Sequence, residues 1–360
     1  MVKRGFIVLS IIMMTGAAAA QEARTEGLKA DLRVPSATSV LSIQGMQFFL
    51  DGKPFYYQGL SFFNALYNQE FNKSQQSREK WLRTFKSYGI TVLRIWGDWR
   101  VTNGWIDEGP ANSLYVYPER RGKEYLYEPD KPQLEPISVQ RLKDLVVAAD
   151  RQGMVIELCL FTHYLVYPVS VRNEYIKLVT DELRPYRNVI FEIWNEYSDH
   201  TVEHYRLIKQ LDPGRLVGSS PGHTPTRLSG VFRDDEWRVL DILLPHTTRK
   251  PSTGNFWEVA PFEIQKLLET YQKPVIDDEP ARCGTQTFGG NGATQVEWHI
   301  AQIKAVRKCG GYHNYHHDMF QLPYGDASIP PSGIPDPEFS QFHRVVFEYL
   351  RSIAPTAITK

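Results

Sequence analysis

Short apolar segments alternate with amphipathic segments along most of the chain. The apolar segments have the length of β-strands, and the segments between them carry apolar residues three or four positions apart, as helices do. This alternation predicts parallel βαβ units in an α/β protein. The predicted strands are residues 57–63, 91–96, 154–161, 188–194, 215–219, 241–244, 274–277 and 311–315. A series of eight such strands predicts a (β/α)8 TIM barrel.

The predicted helices have recognisable ends and one apolar face. A helix at 75–88 is expected to end at Gly89, because glycine readily adopts the left-handed conformation that closes a helix. A second helix precedes the third strand, and a third helix spans 169–183. The last helix is predicted to begin at Asp336-Pro337, a capping residue followed by proline. Core-facing positions are predicted at Trp81, Leu82, Phe85, Leu142, Leu145, Val146, Ala149, Phe339, Phe342, Val346 and Leu350.

A β-hairpin is predicted ahead of the barrel, within residues 42–54. Asp51-Gly52 is a two-residue turn signal between two apolar segments. Residues 21–41 are polar and aperiodic, and they predict an irregular flank or linker. The barrel is therefore assigned to residues 42–355.

The first twenty residues have the pattern of a secretory signal peptide. Lys3-Arg4 precedes an apolar run at 6–14 and small residues at 17–20, so cleavage is expected after Ala20. The apolar run is shorter than the roughly 20 residues that a membrane-spanning helix needs. We therefore expect a secreted or periplasmic protein that is not held by a membrane after signal cleavage.

Composition narrows the classes of partner. The 41 basic and 41 acidic residues balance, which gives no indication of a nucleic-acid or anionic-membrane partner. Three cysteines, Cys159, Cys283 and Cys309, occur in a chain that is expected to be exported. Cys159 lies in an apolar strand, and the other two flank one predicted helix at opposite ends, too far apart for a disulfide. We expect a monomer with no structural disulfide, no cofactor and no metal.

Polar side chains are concentrated where the predicted strands end. In TIM barrels the active site forms at the carboxyl ends of the strands and in the loops that follow them. Asn195 and Glu196 end the fourth strand, and Glu279 follows the seventh. Other residues expected to line this site, as contacts for a substrate, are Arg94, Trp99, His163 and His246.

Glu196 and Glu279 are predicted to face each other across the mouth of the barrel. Two carboxyl groups roughly 5 to 5.5 Å apart support double displacement at an anomeric carbon, one as nucleophile and the other as general acid/base. We assign Glu279 as nucleophile, kept ionised by Arg94, and Glu196 as acid/base. Asn195 is placed to hold a sugar 2-hydroxyl.

Three consecutive acids make the register of the seventh strand important. Alternate side chains of a strand point the same way, so Asp277 and Glu279 are expected to share one direction while Asp278 faces away. Glu279 is nearest the loop, which favours it as the nucleophile. By the same rule Glu192 points like Glu196 but lies deeper, where a buried carboxylate requires a partner such as an arginine.

These segments resemble the clan A glycoside hydrolases, and within them the cellulase and mannanase group of family five. Residues 191–196, Phe-Glu-Ile-Trp-Asn-Glu, resemble the strand-four signature that ends in the acid/base, and residues 274–280 resemble the strand-seven nucleophile segment. Arg94 matches the family's strand-two arginine. The resemblance implies a retaining hydrolase that acts on a β-linked oligosaccharide or polysaccharide, with Glu196 and Glu279 in the two catalytic roles.

The chain departs from family five on two strands. Thr248 stands where the family usually has a tyrosine after the strand-six histidine, and the eighth strand lacks the usual tryptophan platform. His316 or His317 is expected to line the sugar pocket instead. Two other functions are kept open, a carbohydrate-binding barrel without turnover and a metal-dependent hydrolase. The residues that raise the metal hypothesis are His313, His316, His317 and Asp318.

Overall fold

A computed structural model of the chain describes residues 38–98, 113–116, 132–162, 167–221, 234–248, 254–280, 295–317, 320 and 334–355. The predicted signal peptide, most of the predicted flank, and the residues Trp99, His163, Cys283 and Asp318 lie outside these ranges.

Eight parallel strands form a barrel, as the sequence predicts. The strands follow one another around the sheet in chain order, and the last pairs with the first. A bridge between Leu243 and Val275 joins the two remaining neighbours and closes the ring. The strands are β4 (Gly59–Ser61), β5 (Val92–Trp96), β6 (Val155–Thr162), β7 (Val189–Asn195), β8 (Leu216–Ser219), β9 (Ile242–Leu243), β10 (Ile276–Asp277) and β11 (Tyr312–Tyr315).

A small antiparallel sheet precedes the barrel. Its strands are β1 (Leu41–Gln44), β2 (Gln47–Leu50) and β3 (Lys53–Phe55). Asp51 and Gly52 form the turn between β2 and β3, and both have positive φ angles, 51° and 74°, as the favoured two-residue hairpin turn requires. The predicted hairpin is therefore confirmed, and β1 adds a third strand that the sequence pattern did not reveal.

Helices in the described residues cover the outside of the barrel. The predicted helix at 169–183 is present with those bounds, and the helix after β4 ends one residue earlier than predicted, at Ser87. None of the described helices has the length and apolar character to span a membrane. The helices are α1 (Gln69–Asn72), α2 (Gln75–Ser87), α3 (Pro136–Asp150), α4 (Val169–Leu183), α5 (Thr201–Leu211), α6 (Asp234–Val239), α7 (Phe256–Tyr271), α8 (Val296–Lys308) and α9 (Gln341–Ile353).

The predicted start of the last helix is wrong. Asp336 caps only a local turn, in which its side chain accepts a hydrogen bond from the Glu338 N–H at 2.9 Å. The helix begins four residues later, because Ser340 adopts an extended conformation and its hydroxyl accepts the His343 N–H at 3.2 Å. Phe339 therefore precedes the helix, while Val346 and Leu350 are buried on its inner face as predicted.

The barrel interior contains two layers of side chains. Residues two positions apart in a strand point the same way, so each apolar residue of the lower layer is followed by a polar one nearer the carboxyl end. We call the lower set the apolar layer; its members are Val92, Val155, Ile190 and Ile276, packed with Phe48 and Leu41 of the hairpin. We call the upper set the polar layer; its members are Arg94, Glu157, Glu192 and Asp278, all fully buried.

Candidate active site

Arg94 is the centre of the polar network at the carboxyl end of the barrel. Its Nε and Nη2 donate to the two oxygens of Glu192 at 2.9 and 2.6 Å, and Nη2 also donates to Asn195 Oδ1 at 2.7 Å. Its Nη1 donates to Glu279 Oε1 at 2.8 Å, and Nη2 lies 2.9 Å from Asp278 Oδ2. One guanidinium therefore orients residues from both strands that carry the predicted catalytic glutamates.

The electrostatics of Arg94 follow from its surroundings. Burial alone would lower the pKa of Arg94, but the carboxylates of Asp278, Glu192 and Glu279 reverse this effect and hold that pKa well above its usual value. The guanidinium carbon also lies 4.4 Å from the centre of the Trp96 ring, a cation–π contact. Arg94 is thus a permanently charged, fixed donor beneath the site.

Glu157 and Asp278 add further buried carboxyl groups beside this arginine. Tyr57 donates a hydrogen bond to Glu157, and Asn314 donates one to Asp278. Burial raises the pKa of Glu157 to about 7, with Glu192 adding to the effect, and burial raises the pKa of Asp278 well above its usual value. One cation among several buried carboxyl groups favours protonation of some of them.

Asn314 can enter the barrel because residue 59 on the neighbouring strand β4 is a glycine. A Cβ atom at Gly59 would lie 1.4 Å from Asn314 Oδ1. The backbone fixes the position of a Cβ atom, so no rotamer of residue 59 could relieve this overlap. The absence of a side chain on β4 thus places an amide between Tyr57 and Asp278.

The two predicted catalytic glutamates lie close together at the mouth of the barrel. A carboxylate oxygen of Glu196, one of Glu279 and a ring nitrogen of His246 all lie within 4.8 Å of one another. The Glu196 side chain is 18% exposed, whereas that of Glu279 is 3% exposed. Glu196 is thus the member of the pair that is more accessible to solvent and to a leaving group.

Glu196 adopts an unusual backbone conformation. Its φ angle is 57°, in the left-handed region that non-glycine residues rarely occupy. Strand β7 ends at Asn195, so this residue turns the chain out of the sheet and directs the carboxylate over the barrel mouth. Strained residues of this kind concentrate at functional sites.

His246, just beyond β9, lies between the two glutamates. Its Nδ1 is 3.1 Å from Glu196 Oε1 and 3.6 Å from Glu279 Oε2, and its Nε2 is 3.8 Å from Asp278 Oδ2. Burial alone would lower the pKa of His246, but the charge of Glu279 and the contacts with Asp278 and Glu196 raise it above its usual value. The imidazole is therefore suited to hold positive charge beside both carboxylates.

His316, just beyond β11, reaches Glu279 from the other side. Its Nε2 lies 3.5 Å from Glu279 Oε2, and its Nδ1 lies 3.0 Å from the Ser61 hydroxyl. Its ring also packs edge-on against Phe63 at 5.0 Å between centroids. Two histidines thus flank the proposed nucleophile.

The structure separates the other histidines of the eighth strand from this site. His317 packs against Phe342 and His343 on the helix side of the strand, and His313 is buried, with its pKa lowered to about 3 by burial. Of the three histidines of that cluster, all within the described ranges, His316 is the one brought to the site. The predicted contacts of Trp99 and His163 lie outside the described residues.

Glu279 points into the site as predicted, but the predicted directions of Asp277 and Asp278, at the end of β10, are wrong. Asp277 points outward, where it accepts hydrogen bonds from Thr247 and Gln302, each at 2.8 Å. Asp278 and Glu279 both contact Arg94, although they are adjacent. Ile276 points inward, so alternation itself places Asp277 outward and Asp278 inward. The strand ends at Asp277, and alternation does not extend to Glu279.

Two groups of described residues bring possible metal ligands together. They are Glu196 with His246 and Glu279, and Glu157 with Glu192 and Asp278; in each group the donor atoms lie within 4.8 Å. Arg94 contacts Glu279 in the first group and Glu192 and Asp278 in the second. The fixed positive charge of Arg94 already forms ion pairs with these carboxylates and would repel a cation placed among them.

Sequence reasoning missed Glu157, Asp278, Asn314 and Tyr57 as parts of this network. A signal was present, because a charged residue follows an apolar one at spacing two on several strands, as in Val155 and Glu157. Such a pattern indicates a polar layer above an apolar one. It does not indicate which carboxyl groups share a partner.

Comparison with known proteins identifies the fold. No protein-family model matches the chain, and no curated protein matches its sequence. Among solved structures, the endo-1,4-beta-mannanase from Rhizomucor miehei matches with a TM-score of 0.56 at 14% identity, over 77% of this chain and 89% of that one. The endo-beta-1,4-mannanase from Thermotoga petrophila matches with a TM-score of 0.55 at 15% identity, over 86% and 79%.

A glycoside hydrolase family 5 structure from Bacteroides vulgatus matches with a TM-score of 0.52 at 16% identity, over 78% of this chain and 62% of that one. The chain spans 55% of the length of another matched structure from that organism. At these identities the likeness shows the fold alone. The chain has the barrel fold found in these glycoside hydrolases, as its sequence resemblance implies.

Proposed function

We propose that this protein is a retaining glycoside hydrolase that cleaves a β-linked glycan by double displacement. The observation that carries the proposal is the approach of Glu196 and Glu279, whose carboxylate oxygens lie within 4.8 Å at the barrel mouth. Retaining enzymes hold their two carboxyl groups about 5 to 5.5 Å apart, whereas inverting enzymes leave about 6.5 to 9.5 Å for a water molecule. The short separation favours retention.

The two carboxyl groups have different roles in this mechanism. Glu279 attacks the anomeric carbon and forms a glycosyl ester, while Glu196 donates its proton to the departing glycosidic oxygen. Glu196 then removes a proton from water, which attacks the same carbon and releases Glu279 as a carboxylate. The more accessible position of Glu196 suits contact with a leaving group and water.

The surrounding residues support these roles. Arg94 donates to Glu279 and to Asn195, so it fixes the nucleophile and the amide proposed to hold the sugar 2-hydroxyl. His316 and His246 approach Glu279 Oε2 from two sides. A cationic His246 stabilises negative charge on both glutamates and helps return Glu279 to its carboxylate form.

Hydrolysis of a panel of aryl β-glycosides and β-linked polysaccharides tests the proposal. Glu279→Ala and Glu196→Ala are each expected to lower kcat by several orders of magnitude, while Glu203→Ala, a change at a glutamate 62% exposed on α5, leaves kcat unaltered. With an activated substrate and added azide, Glu279→Ala should yield the α-glycosyl azide and Glu196→Ala the β-glycosyl azide. An inverted first-formed sugar in NMR spectra of the wild type would exclude Glu279 as a covalent nucleophile.

The two alternative functions are tested by the same preparations. A binding barrel without turnover would bind a glycan, hydrolyse nothing on the panel and lose no turnover in either variant. A metal-dependent hydrolase would lose activity on treatment with a chelator. We expect hydrolysis to be unaffected by the chelator, because Arg94 already supplies the positive charge beside Glu279.

We also propose that the protein acts outside the cytoplasm. The support is the basic, apolar and small-residue order of the first twenty residues. N-terminal sequencing of the mature protein from the producing cell should begin at Gln21. Retention of Met1 in the mature protein would contradict export by this route.

A further inference from the structure

The part of the barrel that carries Glu279 and His246 has very little backbone hydrogen bonding. Strands β9 and β10 are each two residues long, against eight for β6. A single bridge, between Leu243 and Val275, joins them. His246 lies three residues beyond β9 and Glu279 two residues beyond β10, so the ladder does not determine where either side chain lies.

Three side chains on the outer face of the barrel link the carboxyl ends of β9 and β10 by hydrogen bonds. The Thr247 hydroxyl donates to Asp277 Oδ1 at 2.8 Å, and Gln302 Nε2 of α8 donates to Asp277 Oδ2 at 2.8 Å. The same Gln302 Nε2 lies 3.2 Å from Thr247 Oγ1. All three side chains are buried, so water does not compete for these bonds.

Glu263 of helix α7 holds Thr248, the residue after Thr247, by hydrogen bonds. Glu263 accepts the Thr248 N–H at 2.8 Å and the Thr248 hydroxyl at 2.5 Å, and this carboxylate is 4% exposed. The Asp278 N–H donates to the Pro245 carbonyl at 3.2 Å. Thr248, two residues after His246, is therefore held from outside the barrel, and Asp278, which precedes Glu279, is bonded to the backbone beside His246.

We propose that Thr247, Asp277, Gln302 and Glu263 are positioning residues, which set the distance between His246 and Glu279 for the reaction. We call these four residues the outer clasp. The inference rests on the proposed function. The side chains of the neighbouring residues His246 and Thr247 point in opposite directions, into and out of the barrel. A shift of the Thr247 hydroxyl on the outside therefore moves the His246 imidazole on the inside. Misplacement of a reacting group by about 1 Å can cost about a hundredfold in rate.

Thr247→Val tests the proposal because valine keeps the shape of threonine and removes the hydroxyl. We expect kcat to fall about tenfold or more, with KM nearly unchanged, after normalisation to titrated active sites. Thr247→Ser restores the hydroxyl and should recover most of kcat. Gln302→Leu removes the other donor to Asp277, and it serves as the second variant if valine at 247 prevents folding.

Asp241→Asn is the matched control. Asp241 directly precedes β9, at the end of the strand away from His246. Its oxygens accept hydrogen bonds from Tyr205, Lys209 and the Val217 N–H at 3.0 to 3.1 Å. This change is expected to lower the melting temperature and to leave kcat per active site unaltered. A purely structural role for the outer clasp would make Thr247→Val behave like Asp241→Asn, and that result would overturn the proposal.

NMR titration of His246 provides a measurement that does not depend on activity. In Thr247→Val its midpoint should fall towards the ordinary value, because the imidazole moves away from the carboxylates; in Thr247→Ser it should match the wild type. An unchanged midpoint in Thr247→Val together with wild-type kcat would refute the positioning role. If the wild type hydrolyses nothing, the proposed function fails, and the titration still decides whether the clasp positions His246.

Discussion

The apolar layer and the polar layer occupy the same barrel interior, two residues apart on the same strands, and they differ in what they contribute. Each side chain of the apolar layer stabilises the fold by about 1.5 to 3 kcal/mol through burial. The polar layer contains Arg94 with the carboxyl groups of Glu192, Glu157 and Asp278, all without solvent contact. Burying such charges costs free energy that their mutual attraction only partly returns.

This difference agrees with the proposed role of the polar layer in orienting the catalytic residues. Replacing a buried ion cluster by apolar residues of similar volume is often neutral or stabilising. The barrel nevertheless keeps one arginine bonded to Glu192, Asn195 and Glu279 at 2.6 to 2.9 Å. Those bonds fix Asn195 and Glu279 immediately below the mouth. The apolar layer stabilises the fold. The polar layer orients Asn195 and Glu279 at some cost in stability.

Arg94→Met should produce the largest effect. The change leaves the carboxylates of Glu192 and Glu279 buried without their cation, and we expect the free energy of unfolding to fall by about 3 to 5 kcal/mol. Urea denaturation measures this free energy of unfolding. Arg83→Met, which breaks an exposed pair with Glu79 on α2, is the control and should change that free energy by less than about 1 kcal/mol. Equal effects of the two changes would show that the polar layer carries no buried charge cluster.

Glu157→Gln should make the stability difference between variant and wild type depend on pH. The folded-state pKa of Glu157 is raised from 4.5 to about 7, so its contribution is fully present below pH 4.5 and is lost as the pH rises through 7. Relative to the glutamine variant, the wild type should lose about 3 kcal/mol between pH 4 and pH 8. Urea denaturation across that range measures the change, with Glu203→Gln as an exposed control. A pH-independent difference would mean that Glu157 does not hold a proton in the folded state.

Gly59→Ala should disturb the polar layer through sterics alone. The new Cβ would overlap Asn314 Oδ1, so Asn314 must leave its position between Tyr57 and Asp278. We expect a loss of about 1 to 3 kcal/mol in thermal or urea denaturation. In the double variant Gly59→Ala with Asn314→Ala the overlap is gone, so the two losses should not add. Additive losses would place the strain elsewhere.

Ile190→Val should give the smallest effect. It removes one methylene from the apolar layer, directly below Glu192, and should cost about 0.5 to 1.5 kcal/mol at every pH between 4 and 8. The same denaturation series used for Glu157→Gln measures it. A pH-dependent loss would show that the two layers are coupled, and the comparison between them would then fail.

The sequence predicts the barrel well because its signals are local and repeated. The helix at 169–183 and the hairpin turn at Asp51-Gly52 follow from periodicity and turn chemistry. Glu192 was expected to be the buried partner of an arginine, and Arg94 is that partner. The last helix was misplaced because Asp336 and Ser340 are both good caps, and only the tertiary structure decides between them.

The site was less predictable where the chain leaves regular structure. Strand alternation holds as far as Asp278, which points inward like Ile276, but it does not extend to Glu279, two residues beyond the end of β10. Glu192 and Asn195 are three residues apart and still contact one guanidinium, which strict alternation would forbid. The outer clasp depends on Gln302, far along the chain from Thr247. Contacts of this kind have no signature in a single sequence.

The N-terminal sheet has a consequence for how substrate and product move. Phe48 and Leu41 pack with the apolar layer, and the Phe48 ring contacts those of Tyr57 and Tyr312, which closes the amino end of the barrel. In the part of the chain that the structure describes, the amino end of the barrel therefore offers no route to Arg94. In the proposed mechanism the carboxyl end, where Glu196 and Glu279 lie, is the entrance for substrate and for the water of the second step. Competing acceptor molecules at that entrance would then decide between hydrolysis and transfer to another sugar.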